Sequence, residues 1–243
     1  MQLVELITGT VVKVNNESLC IKGGWFEAIK RKSRLIPDDF CTLEFCADLL
    51  RTKEHPFLID IGANVGVFTL LCKSIPQLKC CAFEPLVSMI IILRDNIKLN
   101  NIEKQVVVFN YAVGDKLETK ILKTPLIKSW AGLSTLGEPK RFNHWFRASV
   151  KVITLDTFLD VKNTIPSIIK IDVEGNELAV LHGAKNLINT HKPDIICECT
   201  NKNTQQFEYD CSEIINLLAS WGYEHKQISN DDFYFNYMKK NDL

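Results

Sequence analysis

No stretch of this chain is apolar for long enough to cross a bilayer. The longest such run, Leu86 to Leu93, is interrupted by Ser88 and falls far short of the roughly 20 residues that a spanning helix needs. Neither charge is in excess: 29 basic residues face 29 acidic ones, for a formal net charge of zero. That balance weighs against a protein that grips nucleic acid through a strong overall positive field, although a local basic patch stays possible. The opening residues, Met1-Gln2-Leu3-Val4-Glu5, lack the basic region and apolar core of a secretory leader. Internal repeats and low-complexity tracts are missing too, which removes repeat architectures.

Cysteine, by contrast, is plentiful: there are nine. Cys72, Cys80, Cys81 and Cys197 fall inside apolar segments, where cysteine behaves as a small core hydrophobe. A reducing, cytoplasmic setting is therefore the expectation. Cys197 and Cys199 share one face of an expected strand. No second Cys or His pair is spaced to complete a zinc site, so both are read as packing, and no metal ligands are assigned. At 243 residues, 46% hydrophobic and 24% charged, the chain has the makings of one large globular domain with an appendage.

The stretch around which the rest is arranged is Phe57-Leu58-Ile59-Asp60-Ile61-Gly62-Ala63-Asn64-Val65-Gly66. A short apolar strand runs into a glycine-containing turn, and an apolar helical segment, Val67 to Cys72, follows. Gly62 leaves the backbone open to a ligand and can take positive φ. Asn64 tolerates the left-handed region, and Gly66 lets the helix start near the strand. Asp60 is expected as a fixed acceptor at the rim. A second strand, Lys79 to Phe83, ends in Glu84-Pro85 about two dozen residues after Asp60. Nucleotide-binding folds place a ribose-binding acid at about that distance. Pro85 holds Glu84 extended, and Glu84 is expected at an exposed strand end.

Further along, Ser88 to Leu99 reads as a helix and Val106 to Phe109 as a third strand, so three strand-helix repeats are expected between 57 and 115. Asn96 and Asn100 are either functional or ordinary polar-face residues. Residues 116–153 lose this rhythm, with strands near Thr119–Leu122 and Ala148–Ile153. Trp130, Trp145 and His144 there either meet a substrate or fasten a loop. Ser167 to Asp172 is a fourth strand, Asn176 to Ile188 a helix, and Ile195 to Cys199 a fifth strand. Ser212 to Trp221 is a helix, and a closing pair of strands follows at His225–Ile228 and Phe233–Met238.

Taken together, Asp60-Ile-Gly-Ala-Asn-Val-Gly66, Ala82-Phe-Glu-Pro85, Asn96 with Asn100, Ala112-Val-Gly-Asp115, Thr154-Leu-Asp156 and Lys170-Ile-Asp-Val-Glu-Gly175 resemble the FkbM-type S-adenosylmethionine-dependent methyltransferases, in that family's order. The resemblance implies an α/β fold, a doubly wound, mostly parallel seven-stranded sheet with an antiparallel edge. Residues 1–55 form an N-terminal cap or lid in this reading, and 56–243 a Rossmann-like domain with a substrate-lid insertion at about 116–153. It also implies S-adenosyl-L-methionine as cofactor, held by Asp60, Gly62, Asn64, Gly66, Thr69, Glu84, Pro85, Asn110, Tyr111 and Ala112. Tyr111 can equally be a strand-packing residue.

Methyl transfer asks mainly for alignment of acceptor, methyl and sulfur, and a hydroxyl acceptor benefits from a base or a metal that lowers its pKa. Asp172 and Glu174, at the end of the fourth strand, are the candidates. Glu174 can instead simply begin a helix, where acids suit the dipole. Glu198 ends the fifth strand. A small-molecule or carbohydrate hydroxyl is the expected acceptor. A nucleic-acid acceptor (Lys170, Asp172 and Glu198 loosely resemble ribose methylation sites), a nicotinamide-dependent oxidoreductase and a non-catalytic cofactor-binding module are the alternatives.

Overall fold

A computed structural model describes residues 2–5, 11–14, 37–126, 133–138, 145–160 and 163–238. Trp25, Phe26, Trp130 and His144 lie outside that set. Two short strands, β1 (Gln2–Glu5) and β2 (Val11–Val14), pair antiparallel, and helix α1 (Pro37–Arg51) follows. The main sheet begins with β3 (Phe57–Ile61), β4 (Lys79–Phe83) and β5 (Val106–Phe109). Helix α2 (Val87–Leu99) joins the latter two. The excursion β6 (Ala112–Val113), β7 (Glu118–Pro125) and β8 (Trp145–Ile153) comes next, then the one-turn helix α3 (Leu155–Phe158). The chain returns through β9 (Ile168–Ile171), helices α4 (Glu177–Gly183) and α5 (Lys185–His191), β10 (Asp194–Glu198), the short α6 (Asn201–Thr204) and α7 (Cys211–Ser220), and ends with β11 (Tyr223–Gln227) and β12 (Asp232–Tyr237).

The seven-stranded sheet has the order β11-β12-β10-β9-β3-β4-β5. From β10 to β5 all neighbours are parallel, and β12 runs antiparallel between β10 and β11. This is the expected doubly wound sheet with an antiparallel edge. The sequence reason is plain in β3 and β9, which are apolar on both faces apart from Asp60 and Lys170, as strands covered by helices on both sides must be. Leu58, Cys80, Ala82, Ile168 and Ile196 pack in one core with Leu43, Cys46, Ala47 and Leu50 of α1 and with α2. Ile59, Ile61, Ile169, Ile171 and Ile195 face the other core, with α4, α5 and α7.

Three expectations about elements need correction. The segment after β3 is a 3₁₀ turn over Thr69–Lys73 rather than a helix from Val67. The third repeat has no helix directly after β5: the chain passes into the three-stranded sheet β6-β8-β7 instead. The expected Asn176–Ile188 helix is two helices broken at Ala184. There the backbone comes so close to Gly114 that a Cβ on Gly183 would lie 1.8 Å from the Gly114 carbonyl oxygen.

The strand order reverses between β3 and β9. A crevice opens there above the carboxyl ends of the strands, which is where open α/β sheets bind ligands.

Candidate active site

Two turns meet across that crevice. On the β3 side the chain leaves Ile61 through Gly62, with φ +79°, and Asn64, with φ +52°. Only glycine fits at 62, because a Cβ there would lie 1.8 Å from the Asp172 carbonyl oxygen. Gly66 closes the loop by donating its N–H to the Ala63 carbonyl at 2.8 Å. Asn96 of α2 anchors it from below, its side-chain amide donating to the Val65 carbonyl at 2.8 Å. Asn100 accepts from the Lys13 N–H and donates to its carbonyl, tying β2 to α2. The two asparagines therefore have structural work that a polar face alone does not explain.

Glu84 sits opposite the loop. One carboxylate oxygen accepts the Asn64 N–H at 2.9 Å and the other accepts the Leu86 N–H at 2.8 Å. Contrary to expectation it is buried, with 7% of its surface exposed. Burial pushes its carboxyl up to about 7, against the two backbone hydrogen bonds that favour the anion. Asn110 is exposed and does not line the pocket. Its amide donates to the Glu84 and Pro85 carbonyls at 3.1 and 2.8 Å, so it braces the turn that carries Glu84.

Asp60 and Thr69 also lie elsewhere than expected. Asp60 is 1% exposed and accepts a hydrogen bond from the Thr69 hydroxyl at 2.7 Å. Both are beneath the loop rather than at its rim, because Asp60 still belongs to the buried strand. Burial raises the Asp60 pKa, with the Lys170 charge opposing.

The pocket itself is lined by Gly62, Asn64, Glu84, Pro85, Tyr111 and Ala112 from the expected cofactor set and by Asp172 and Glu174 from the expected catalytic pair. Val173, from the Lys170–Gly175 motif, and Asn176, Met89 and Leu136 also line it, and the last three had no readable signal. Tyr111 both faces the pocket and packs edge-on against Phe158, with ring centroids 5.1 Å apart.

On the β9 side, Lys170 is buried, and its ammonium bonds Asp172 at 2.9 Å while lying over the Phe68 ring, 4.9 Å from the centroid. Glu174 has φ +57°. Acidic non-glycine residues seldom take that conformation outside turns and sites. It precedes α4 in a separate turn, so helix initiation does not account for it. Its carboxylate accepts from the Asn203 side-chain amide at 2.9 Å, and its carbonyl from the Thr135 hydroxyl at 3.1 Å. Glu177 takes the N–H groups of Val173 and Gly175 at 3.2 and 3.0 Å, and burial raises its pKa.

Asp172, Glu174 and Glu198 each offer a carboxylate oxygen, all within 4.8 Å of one another. That spacing is compatible with a shared divalent cation. Cys199 is not simply packed: it is bonded to Cys211, while Cys197 is a buried free thiol. The Thr154-Leu-Asp156 motif is structural. Thr154 caps α3 and Asp156 caps the start of α5, accepting the Asn186 and Leu187 N–H groups, both at 2.8 Å.

A family model described as the methyltransferase FkbM domain matches residues 60–225, more than half of the chain. The chain belongs to the FkbM methyltransferase family. It is 28% identical over 169 residues to methyltransferase sdnD of Sordaria araneosa, a match covering 58% of this chain and 64% of that protein. It is also 28% identical over 160 residues to methyltransferase 1 of Beauveria bassiana, covering 58% and 63%. The match thus spans less than two thirds of either curated relative. Among solved structures, methyltransferase FkbM from Methylobacillus flagellatus KT aligns with a TM-score of 0.57 at 19% identity, covering 80% of this chain and 47% of that one. An O-methyltransferase from Bacillus cereus in complex with SAH aligns at 0.50 with 15% identity, covering 82% and 80%. These two likenesses speak for the fold.

Proposed function

We propose that this FkbM methyltransferase takes its methyl group from S-adenosyl-L-methionine and transfers it to a hydroxyl of an uncharged small molecule or sugar. The observation that carries the reading is the single pocket in which Gly62, Asn64, Glu84 and Tyr111 meet Asp172 and Glu174. The residues fit the cofactor. The glycine turn leaves its backbone bare, Glu84 is placed for ribose hydroxyls, and the Asn64 side-chain oxygen is enclosed without a hydrogen-bond partner, an acceptor waiting for a donor.

When bound, S-adenosylmethionine supplies a methyl group on a positively charged sulfur. The chain's own residues then have three tasks: to seat the acceptor in line, to exclude water and to take the hydroxyl proton as the new oxygen–carbon bond forms and the carbon–sulfur bond breaks. Asp172, oriented by Lys170, and Glu174, oriented by Asn203, are the groups at hand to receive that proton. Three carboxylates against one ammonium also make the crevice unfavourable for a phosphate-bearing acceptor, which argues against nucleic acid.

Calorimetric titration with S-adenosylmethionine, S-adenosylhomocysteine and NAD tests the cofactor. Binding of the first two and not the third is expected. Binding of NAD alone would overturn the reading.

A further inference from the structure

Glu174 owes its position to a segment remote in sequence. The chain between β10 and α7 is closed on itself by the Cys199–Cys211 disulfide, which spans a sequence separation of 12 with Cα atoms 5.7 Å apart, a usual spacing for such bonds. Two of its side chains, Asn203 and Tyr209, bond the turn at 174–177. Asn203, buried, donates its side-chain amide to Glu174 at 2.9 Å. Its backbone lies so close to the turn that a Cβ on Gly175 would be 2.4 Å from the Asn203 carbonyl oxygen. The Tyr209 hydroxyl donates to the Gly175 carbonyl at 2.7 Å and accepts the Leu178 N–H at 3.3 Å. Asn201 closes the loop from within, accepting the Cys211 N–H at 2.9 Å.

We infer that Asn203 is a positioning residue for the Glu174 carboxylate, and that the Cys199–Cys211 bond holds it there, so that the acceptor side of the crevice answers to the redox state of this thiol pair. The inference rests on the methyltransferase reading for its consequence, but its geometry stands apart from it.

A residue in left-handed backbone with its carboxylate turned into a crowded acidic cluster stays there only if its surroundings hold it. Asn203 supplies two donors and no charge, so it stabilises the anion without neutralising it. Opening the disulfide releases the loop ends, and the ordering that kept Asn203 against Glu174 must then be met by weak contacts alone. A dithiol does this by attack of its thiolate on one sulfur and displacement of the other as a thiolate that takes up a proton. Its second thiol then releases the mixed disulfide, so that two cysteine thiols form as the reagent is oxidised. Cys211 is partly exposed and Cys199 buried, so the approach is from the Cys211 side.

The test requires no acceptor. Wild type, Asn203→Ala, Asn203→Asp and Cys211→Ser are titrated with S-adenosylhomocysteine as purified and after dithiothreitol. Amide exchange at Val173 and Gly175 is followed in parallel. Reduction should speed wild-type exchange at both amides about fivefold or more and leave S-adenosylhomocysteine binding, the task of the other wall, within about threefold. It should leave the already faster exchange of Cys211→Ser unchanged and add little to that of Asn203→Ala, because the two changes act through one contact. Asn203→Asp should exchange fast at pH 8 and slow, relative to wild type, as the pH falls and the facing carboxylates come to share a proton. Asn203→Ala should show no such recovery. Gains in exchange that add independently, or exchange at Val173 and Gly175 that ignores reduction, would overturn the inference. If no form binds S-adenosylhomocysteine, the cofactor reading fails, and the exchange data still decide the role of Asn203.

Discussion

The two walls of the crevice are built on different plans. The β3–β4 wall is assembled from neighbours in sequence, with backbone as the main building material: Gly62 and Asn64 set the turn, and Glu84 clamps it by its own N–H partners at Asn64 and Leu86. The β9–β10 wall is assembled from side chains, three of them brought in from afar. Lys170 turns Asp172, Asn203 turns Glu174, and Thr135, Glu177 and Tyr209 hold the backbone between them. The first plan suits a ligand of fixed shape, because backbone positions tolerate little variation. The second leaves the acceptor side adjustable by substitution at many remote positions.

The largest effect is expected where the walls touch. Gly62→Ala adds a Cβ 1.8 Å from the Asp172 carbonyl oxygen at a positive φ, and neither partner is a flexible side chain. The variant should lose roughly 3 kcal/mol of stability or more and all measurable S-adenosylhomocysteine binding. Denaturant unfolding together with calorimetry checks both. Wild-type stability would show that the two turns are not in contact as described.

A smaller effect, confined to the first wall, follows from Glu84. Its carboxyl is raised to about 7 in the folded protein, above the unfolded value. Its contribution to stability is therefore fully present below about pH 4.5 and is lost as the pH rises through 7, on the order of 3 kcal/mol at most. Ligand-free protein should lose stability across that window, and Glu84→Gln should flatten the profile. The same ionisation should strengthen S-adenosylhomocysteine binding as the pH rises through 7, because the anion is the better acceptor for ribose hydroxyls. An identical pH profile in Glu84→Gln would remove Glu84 as the group responsible.

The contrast between the walls also explains what could be read from the sequence. The sheet and the Gly62, Asn64 and Glu84 set were legible because their partners are close in sequence and their residue types are dictated by backbone geometry. Depth was not legible. Asp60 shares its motif with Gly62 and Thr69 follows three residues after that motif, yet both lie beneath the loop, and Glu84 is buried at a strand end expected to be exposed. The missing third helix was hidden because β6 is only two residues long and pairs with β8, far along the chain. Asn203, Tyr209 and the Cys199–Cys211 bond gave no signal at all. An asparagine, a tyrosine and a cysteine pair without a repeating spacing acquire meaning only when the fold sets them against Glu174. Asp172 and its partner Lys170 lie two residues apart at one strand end, but Glu198 reaches them only through the register of β10 on β9.

In the function proposed above, one wall holds the cofactor and the other serves the acceptor. The most direct measurement is a calorimetric comparison of S-adenosylhomocysteine binding by wild type, Glu84→Gln and Asp172→Asn at pH 8. Glu84→Gln should bind about tenfold more weakly or worse, and Asp172→Asn should bind within about threefold of wild type while losing methyl transfer to any acceptor found. If Asp172→Asn loses binding as fully as Glu84→Gln, or Glu84→Gln binds like wild type, the division of labour between the two walls is wrong.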